Sequence, residues 1–206
     1  MPVPVPPTDA ELAQQALAGS QAAYHALVSR YATPAVNLAA RMVRDRSLAE
    51  DLAQEAFARA FARLSTYDPA CRFAGWFFQI LHNVTVDYLR RKRLPSVSLD
   101  ELEASGFPGA PADASASPDV QAERAAASDA LESALGAIRP EYREAIILRY
   151  REDLPVQEIA GVMGIPVGTV KTYLHRARKE LASILTKRGW GALPAAVAET
   201  RGRELP

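Results

Sequence analysis

The stretch from Val156 to Ile184 constrains this chain more than any other. Two helices hold the fixed crossing of a helix-turn-helix only under three conditions. A small residue must lie where they touch, a glycine must open the turn, and apolar residues must lock the angle. Ala160 is the small residue and Gly164 the turn glycine, while Ile159, Met163, Ile165, Val170 and Tyr173 fill the apolar slots. In the second helix Val170, Leu174, Ala177, Leu181 and Ile184 step by four, three, four and three, which makes one buried stripe. Thr172, His175, Arg176 and Lys179 lie opposite it, with Lys171 beside them. Between Val167 and Arg188 the lysines and arginines are opposed by one acid, Glu180. A merely solvated face mixes signs, so a one-sided basic face predicts contact with DNA.

The rest of the chain is also read as helical. Alternating runs of Val, Ile and Thr, the mark of strands, are nearly absent. Thr8 and Glu11 form a capping-box pattern, and Gly19 ends that first short helix. A second helix is expected over 21–31, and a third from Pro34 to about Arg44. A fourth, capped by Ser47 with Glu50, is expected to run through Phe57 and Phe61 to Leu64, and a fifth over 73–93. Further helices are expected over 119–137, 140–150, 155–163 and 167–187. Pro140, Pro155 and Pro166 open the last three, as suits a residue with no amide hydrogen to place.

Between the two helical groups the composition changes. From Pro95 to Ala134 there are acids at Asp100, Glu101, Glu103, Asp113, Asp119, Glu123, Asp129 and Glu132 against the single base Arg124. Gly106 to Pro118 is largely Gly, Pro, Ala, Ser and Asp, which buries too little apolar surface to offset ordering entropy. The fold expected is therefore all-α. Two small helical domains, 8–94 and 119–187, are joined by a flexible acidic linker over 95–118, and a frayed tail covers 188–206.

Charge and cysteine content exclude several classes. Lys plus Arg and Asp plus Glu both number 24, so no uniform basic coat exists and any nucleic-acid contact must be local. The lone Cys71 excludes an internal disulfide and a cysteine-based zinc cluster. No run of about 18 apolar residues suggests a spanning helix, and the proline-rich N-terminus has no signal-peptide pattern. A cytoplasmic protein is expected. There is no glycine-rich phosphate loop and no nucleophile elbow, and His25, His82 and His175 are scattered. No catalytic site, metal, cofactor or small-molecule substrate is expected.

Two weaker signals lie in the first half. Asp87-Tyr88-Leu89-Arg90-Arg91-Lys92-Arg93 gathers four bases at a helix end, which suits phosphates or, more simply, the negative end of the helix dipole. Tyr67, Phe73, Trp76, Phe77, Phe78 and Tyr88 crowd nearby. Phe73, Phe77, Ile80 and Val84 have core spacing, which leaves Tyr67, in a loop, as the ring freest to stack on a base. Asp51 and Glu55 share a helix face at i, i+4, where like charges repel. By itself this reads as a solvated surface.

Five blocks carry a family resemblance: Asp9-x-x-Leu12 with Gly19, Tyr24, Leu27 and Tyr31; Asp51-x-x-Gln54-Glu55-Ala56-Phe57; Gly75-Trp76 through Ile80, Asn83 and Asp87 to Arg90-Arg91; Leu135 through Pro140 to Arg143; and Glu158-Ile159-Ala160 through Gly168-Thr169-Val170-Lys171 to Arg176-Ala177-Arg178. In that order and spacing the chain resembles the extracytoplasmic-function sigma factors from Thr8 to Lys187.

The resemblance implies a transcription initiation factor that catalyses nothing itself. Asp51, Gln54, Glu55 and Phe57 would dock on the β′ clamp helices of core RNA polymerase, with a second contact to the β flap. Arg59, Arg63, Tyr67, Asn83, Arg90 and Arg91 would engage and melt the −10 element. Lys171, Thr172, His175, Arg176 and Lys179 would read the −35 element as duplex. Many members carry arginine where this chain has Gln79, at a phosphate contact. An anti-sigma factor is the expected regulator, and the acidic linker would thread the polymerase. Two rivals are a dimeric helix-turn-helix regulator binding a palindrome without polymerase and a metal-dependent nuclease, which would need clustered carboxylates.

Overall fold

The computed structural model describes residues 6–93 and 118–190. These form eight α-helices and one 3-10 turn, with no strand among the described residues. The helices are α1 (Asp9–Leu17), α2 (Gln21–Val43), α3 (Arg46–Ala62), α4 (Phe73–Arg93), α5 (Pro118–Ala137), α6 (Pro140–Tyr150), α7 (Val156–Met163) and α8 (Val167–Lys187); the 3-10 turn is Leu64–Thr66. The expected acidic linker lies outside the described residues except for Pro118, which begins α5.

Local chemistry sets most helix ends. At α1, Thr8 accepts from the Glu11 amide and Glu11 takes the Thr8 amide at 2.7 Å, the reciprocal capping box. Gly164 ends α7 at φ 64°, the left-handed conformation that glycine adopts at no steric cost. Beyond α8, the Trp190 amide donates to Leu185 O at 3.0 Å and Gly189 takes φ 80°. The expected frayed tail therefore begins with an ordered helix cap, and the residues after Trp190 lie outside the described ones.

Two helix boundaries differ from expectation. The second and third expected helices are one, with Pro34 inside α2. Leu27, Tyr31, Ala35 and Leu38 form a continuous buried face across the proline, and burying that face offsets the loss of one backbone hydrogen bond. The start of α3 is capped by Asp45 and not by Ser47: the Asp45 carboxylate accepts from the Leu48 amide at 3.0 Å.

In the first half, α1–α4 pack around Leu27, Leu38, Leu52, Phe57, Phe73, Phe77, Phe78 and Leu81, all buried. The Phe57 and Phe77 rings lie 4.6 Å apart. In the second half, α5–α8 close on Ile147, Leu148, Leu154, Ile159, Val170 and Leu181. Val170, Leu174, Ala177, Leu181 and Leu185 of α8 are buried, so the stripe ends on Leu185 while Ile184 is half-exposed. The two halves meet through α4 against α7 and α2 against α6.

Candidate nucleic-acid interface

In the helix-turn-helix, α7 and α8 are fixed by Ile159 and Val170, both fully buried, and by Ala160 at their crossing. Packing one side of α8 inward leaves Lys171, Thr172, His175, Arg176 and Lys179 exposed together. The Thr172 hydroxyl donates to Gly168 O at 2.9 Å. Arg176 is less free than its helical position suggests, because Nη1 donates to the hydroxyl of buried Tyr142 on α6 at 3.3 Å. Arg139 sits over the Tyr142 ring, 5.5 Å from its centroid. Tyr142 thus holds the guanidinium against the domain at one nitrogen and leaves the rest of its fork outward. The bond to Tyr142 also strengthens the hold of Arg176 on its proton.

On α3, Asp51, Gln54 and Glu55 are exposed on one face, with Leu52, Ala56 and Leu64 buried beneath. Phe57 does not join that surface. It is buried against Phe77, because helical periodicity turns position 57 inward when 54 and 55 face outward. The repulsion of Asp51 and Glu55 is relieved by Arg59, which pairs with Glu55 one turn on. Arg59 is therefore half-exposed and engaged on the acidic face, while Arg63 is exposed at the helix end.

Tyr67 is a correction of the same kind. Its ring is buried against Phe73 and Trp76, and its hydroxyl donates to Cys71 O at 2.8 Å, so it shapes the loop and is not available for stacking. The half-buried ring of Trp76 is more accessible. Asn83 is exposed on α4, and Arg90 and Arg91 are exposed near its end, with Arg90 3.0 Å from Asp87.

A polar network joins the two halves, and of its charged members only Arg143 stood in the quoted motifs. Arg41 Nη2 lies 2.8 and 2.7 Å from the two oxygens of Glu132, and Arg151 pairs with the same carboxylate. Buried Arg143 donates to Leu135 O, Gly136 O and Ile138 O at the end of α5, and across the boundary to Arg41 O at 2.6 Å. Burial pushes its guanidinium down to about 10, still charged at neutral pH. His82 Nδ1 lies 2.5 Å from Glu144 Oε1, Arg72 donates to Asp153 O at 2.7 Å, and Gln79 donates to Gly161 O at 3.0 Å. Apart from Arg143 in the fourth motif block, the sequence signal was a charge beside or inside an apolar run: Arg41 among Leu38 to Val43, and Glu144 before Ala145 to Leu148. Among the described residues no group of three or more His, Cys, Asp or Glu side chains is placed to hold a metal, and no helix is long and apolar enough to cross a membrane.

Comparison with known proteins agrees with this geometry. Residues 27–94 match Sigma-70 region 2, and residues 128–181 match Sigma-70, region 4. The ECF RNA polymerase sigma factor SigW of Bacillus subtilis is 34% identical over 180 residues, covering 82% of this chain and 91% of SigW. The ECF RNA polymerase sigma-E factor of Escherichia coli K12 is 31% identical, covering 84% and 92%. Among solved structures, CnrH in complex with the cytosolic domain of CnrY is 26% identical with a TM-score of 0.59, covering 87% of this chain and 97% of that one. The sigma factor RpoE of Bartonella quintana, solved with the anti-sigma factor NepR, shares the fold at 21% identity and a TM-score of 0.59, over 79% and 96%. A promoter-type helix-turn-helix, a separate exposed acidic helix and relatives spanning both halves have one common explanation: this chain belongs to the ECF RNA polymerase sigma factors, which bring core polymerase to promoter DNA.

Proposed function

We propose that the two jobs of the sigma factor fall on separate surfaces. The observation that carries this is the exposed set Lys171, Thr172, His175, Arg176 and Lys179 on α8, standing apart from the exposed set Asp51, Gln54 and Glu55 on α3. The α8 set reads the −35 element in the major groove, where each base pair presents a distinct edge. Asn83, Arg63, Arg90 and Arg91 engage the −10 element, and a captured base shifts the DNA towards its open form. The α3 set docks on core polymerase, with charge governing encounter and partner choice. Domains 8–94 and 119–187 are the working units, with 95–118 between them.

Regulation by a small anti-sigma protein follows from the same surfaces. The Bartonella RpoE was solved in complex with the anti-sigma factor NepR, and CnrH in complex with the cytosolic domain of CnrY. Here an equivalent would cover the α3 surface at about one to one, in the cytoplasm. Run-off transcription with purified core polymerase is the test of the whole reading. Promoter-directed transcript must depend on this chain and fall for Arg176→Ala, at a cost of roughly 1 to 3 kcal/mol for a lost bidentate contact. Palindrome binding without polymerase would support a dimeric regulator instead.

A further inference from the structure

Tyr142 lies where two exposed arginines meet. It belongs to α6, is 3% exposed, and its ring packs 5.1 Å from that of Tyr173 on α8. Among the described residues its hydroxyl has one partner, and that partner is on the surface: Arg176 Nη1 donates to it at 3.3 Å. On the ring face, the guanidinium carbon of Arg139 stands 5.5 Å from the centroid. The Arg139 side chain is exposed at the N-cap of α6, and among the described residues it has no hydrogen-bond or ion-pair partner.

Core packing explains the ring of Tyr142 and not its hydroxyl. A phenylalanine would fill the same space with no polar atom to place. An exposed arginine ordinarily keeps its rotamer freedom. Here a phenol fixed by packing holds one nitrogen of Arg176. A guanidinium carries five N–H donors in one rigid plane, so holding one aims the others together. One ring therefore gathers both arginines, and their guanidiniums lie within about 12 Å of each other, the width of the major groove. Two cations so close gain from an anion beside them.

We infer that Arg139, Tyr142 and Arg176 form one −35 reading unit across α6 and α8. Arg176 contacts a base edge, Tyr142 is the positioning residue that presents it, and Arg139 takes a phosphate at the rim of the groove. The inference rests on the −35 reading of α8 proposed above, and it extends the DNA surface onto a helix outside the helix-turn-helix. The two arginines do different work. A phosphate contact sets register and carries no sequence information, whereas a base-edge contact specifies. Tyr142 acts on the specific part. Holding a rotamer-rich side chain ready is equivalent to roughly a two- to tenfold gain in binding, and only the correct base pair benefits.

The test uses holoenzyme made from the full chain and core polymerase, on promoters with each −35 position replaced in turn. Arg176→Ala locates the base pair that Arg176 reads, as the position where preference is lost. Tyr142→Phe keeps the ring. It should lower preference at that same position by roughly two- to tenfold and leave the other positions and the salt dependence of promoter binding unchanged. Arg139→Gln should weaken binding to all these promoters alike and reduce the slope of log affinity against log salt by about one. A purely structural Tyr142 would lower transcription from every promoter by one factor with base preference intact, and that result overturns the inference. Loss of helicity in Tyr142→Phe, or an unchanged salt slope in Arg139→Gln, overturns it as well. Failure of the −35 reading looks different: Arg176→Ala then alters no base preference. If Arg176→Ala abolishes a preference that Tyr142→Phe retains, the −35 reading stands and the three-residue unit falls.

Discussion

Glu132→Gln tests how much of the closed contact between the two halves, α2 against α6 and α4 against α7, depends on one carboxylate. The Arg41 side chain is 4% exposed and that of Glu132 11%, so this pair is screened from water in the closed form. Truncating one partner of a buried ion pair costs about 3 to 5 kcal/mol. Glutamine keeps one acceptor oxygen, both Glu132 oxygens share a single Arg41 nitrogen, and Arg41 also donates to Asn37 O at 3.0 Å. Those features bring the expected cost to about 2 kcal/mol, or roughly thirty-fold in the closing equilibrium. The cost falls on closure and not on either core, because opening gives Arg41 and Glu132 to water. The assay is the fraction of chains with the halves apart, reported by dyes at Gln15→Cys and Arg188→Cys, both exposed positions, in a Cys71→Ser background, beside circular dichroism to show intact helices. Replacing both partners, Arg41→Met with Glu132→Leu, should restore most of the closure, since apolar substitutes for a buried pair are often neutral or better. If the single variant leaves the open fraction unchanged, or the double variant opens the chain further, the pair does not carry the closure.

Three other outcomes follow. Asn83→Ala should slow open-complex formation on duplex promoters and be partly rescued on a pre-melted bubble, where unpairing has already been supplied; equal loss on both templates would remove Asn83 from base capture. Glu55→Lys should weaken core-polymerase binding while helicity persists, because an exposed i, i+4 pair with Arg59 contributes only about 0.3–0.5 kcal/mol; unchanged affinity would take this face out of the docking surface. Burial raises the Glu158 carboxyl above its usual 4.5, so the closed form binds that proton more readily than the open one. Closure due to this group therefore strengthens as pH falls from the raised value towards 4.5. Glu158→Gln should flatten that rise in dye-measured closure; an identical pH profile would refute it.

Where the determinants are local, the sequence alone determined the structure. Thr8 with Glu11, the left-handed Gly164, and Pro140 at the first turn of α6 act within one helical turn, so those ends stand as expected. The same holds for the α8 face: inward Val170, Leu174 and Ala177 force Lys171, Thr172, His175 and Arg176 outward wherever the domain sits. Tertiary packing decided the rest. Whether Pro34 breaks a helix depends on what Leu27, Tyr31, Ala35 and Leu38 meet, and they meet a core that keeps α2 whole. Tyr67 has a hydroxyl and a loop position suited to a surface, but the aromatic cluster around Phe73 takes its ring inside. The contacts of Arg41 with Glu132 and of His82 with Glu144 join residues 91 and 62 positions apart. No helical period or cap relates such residues, so only the docking of α4 on α7 and of α2 on α6 brings them together.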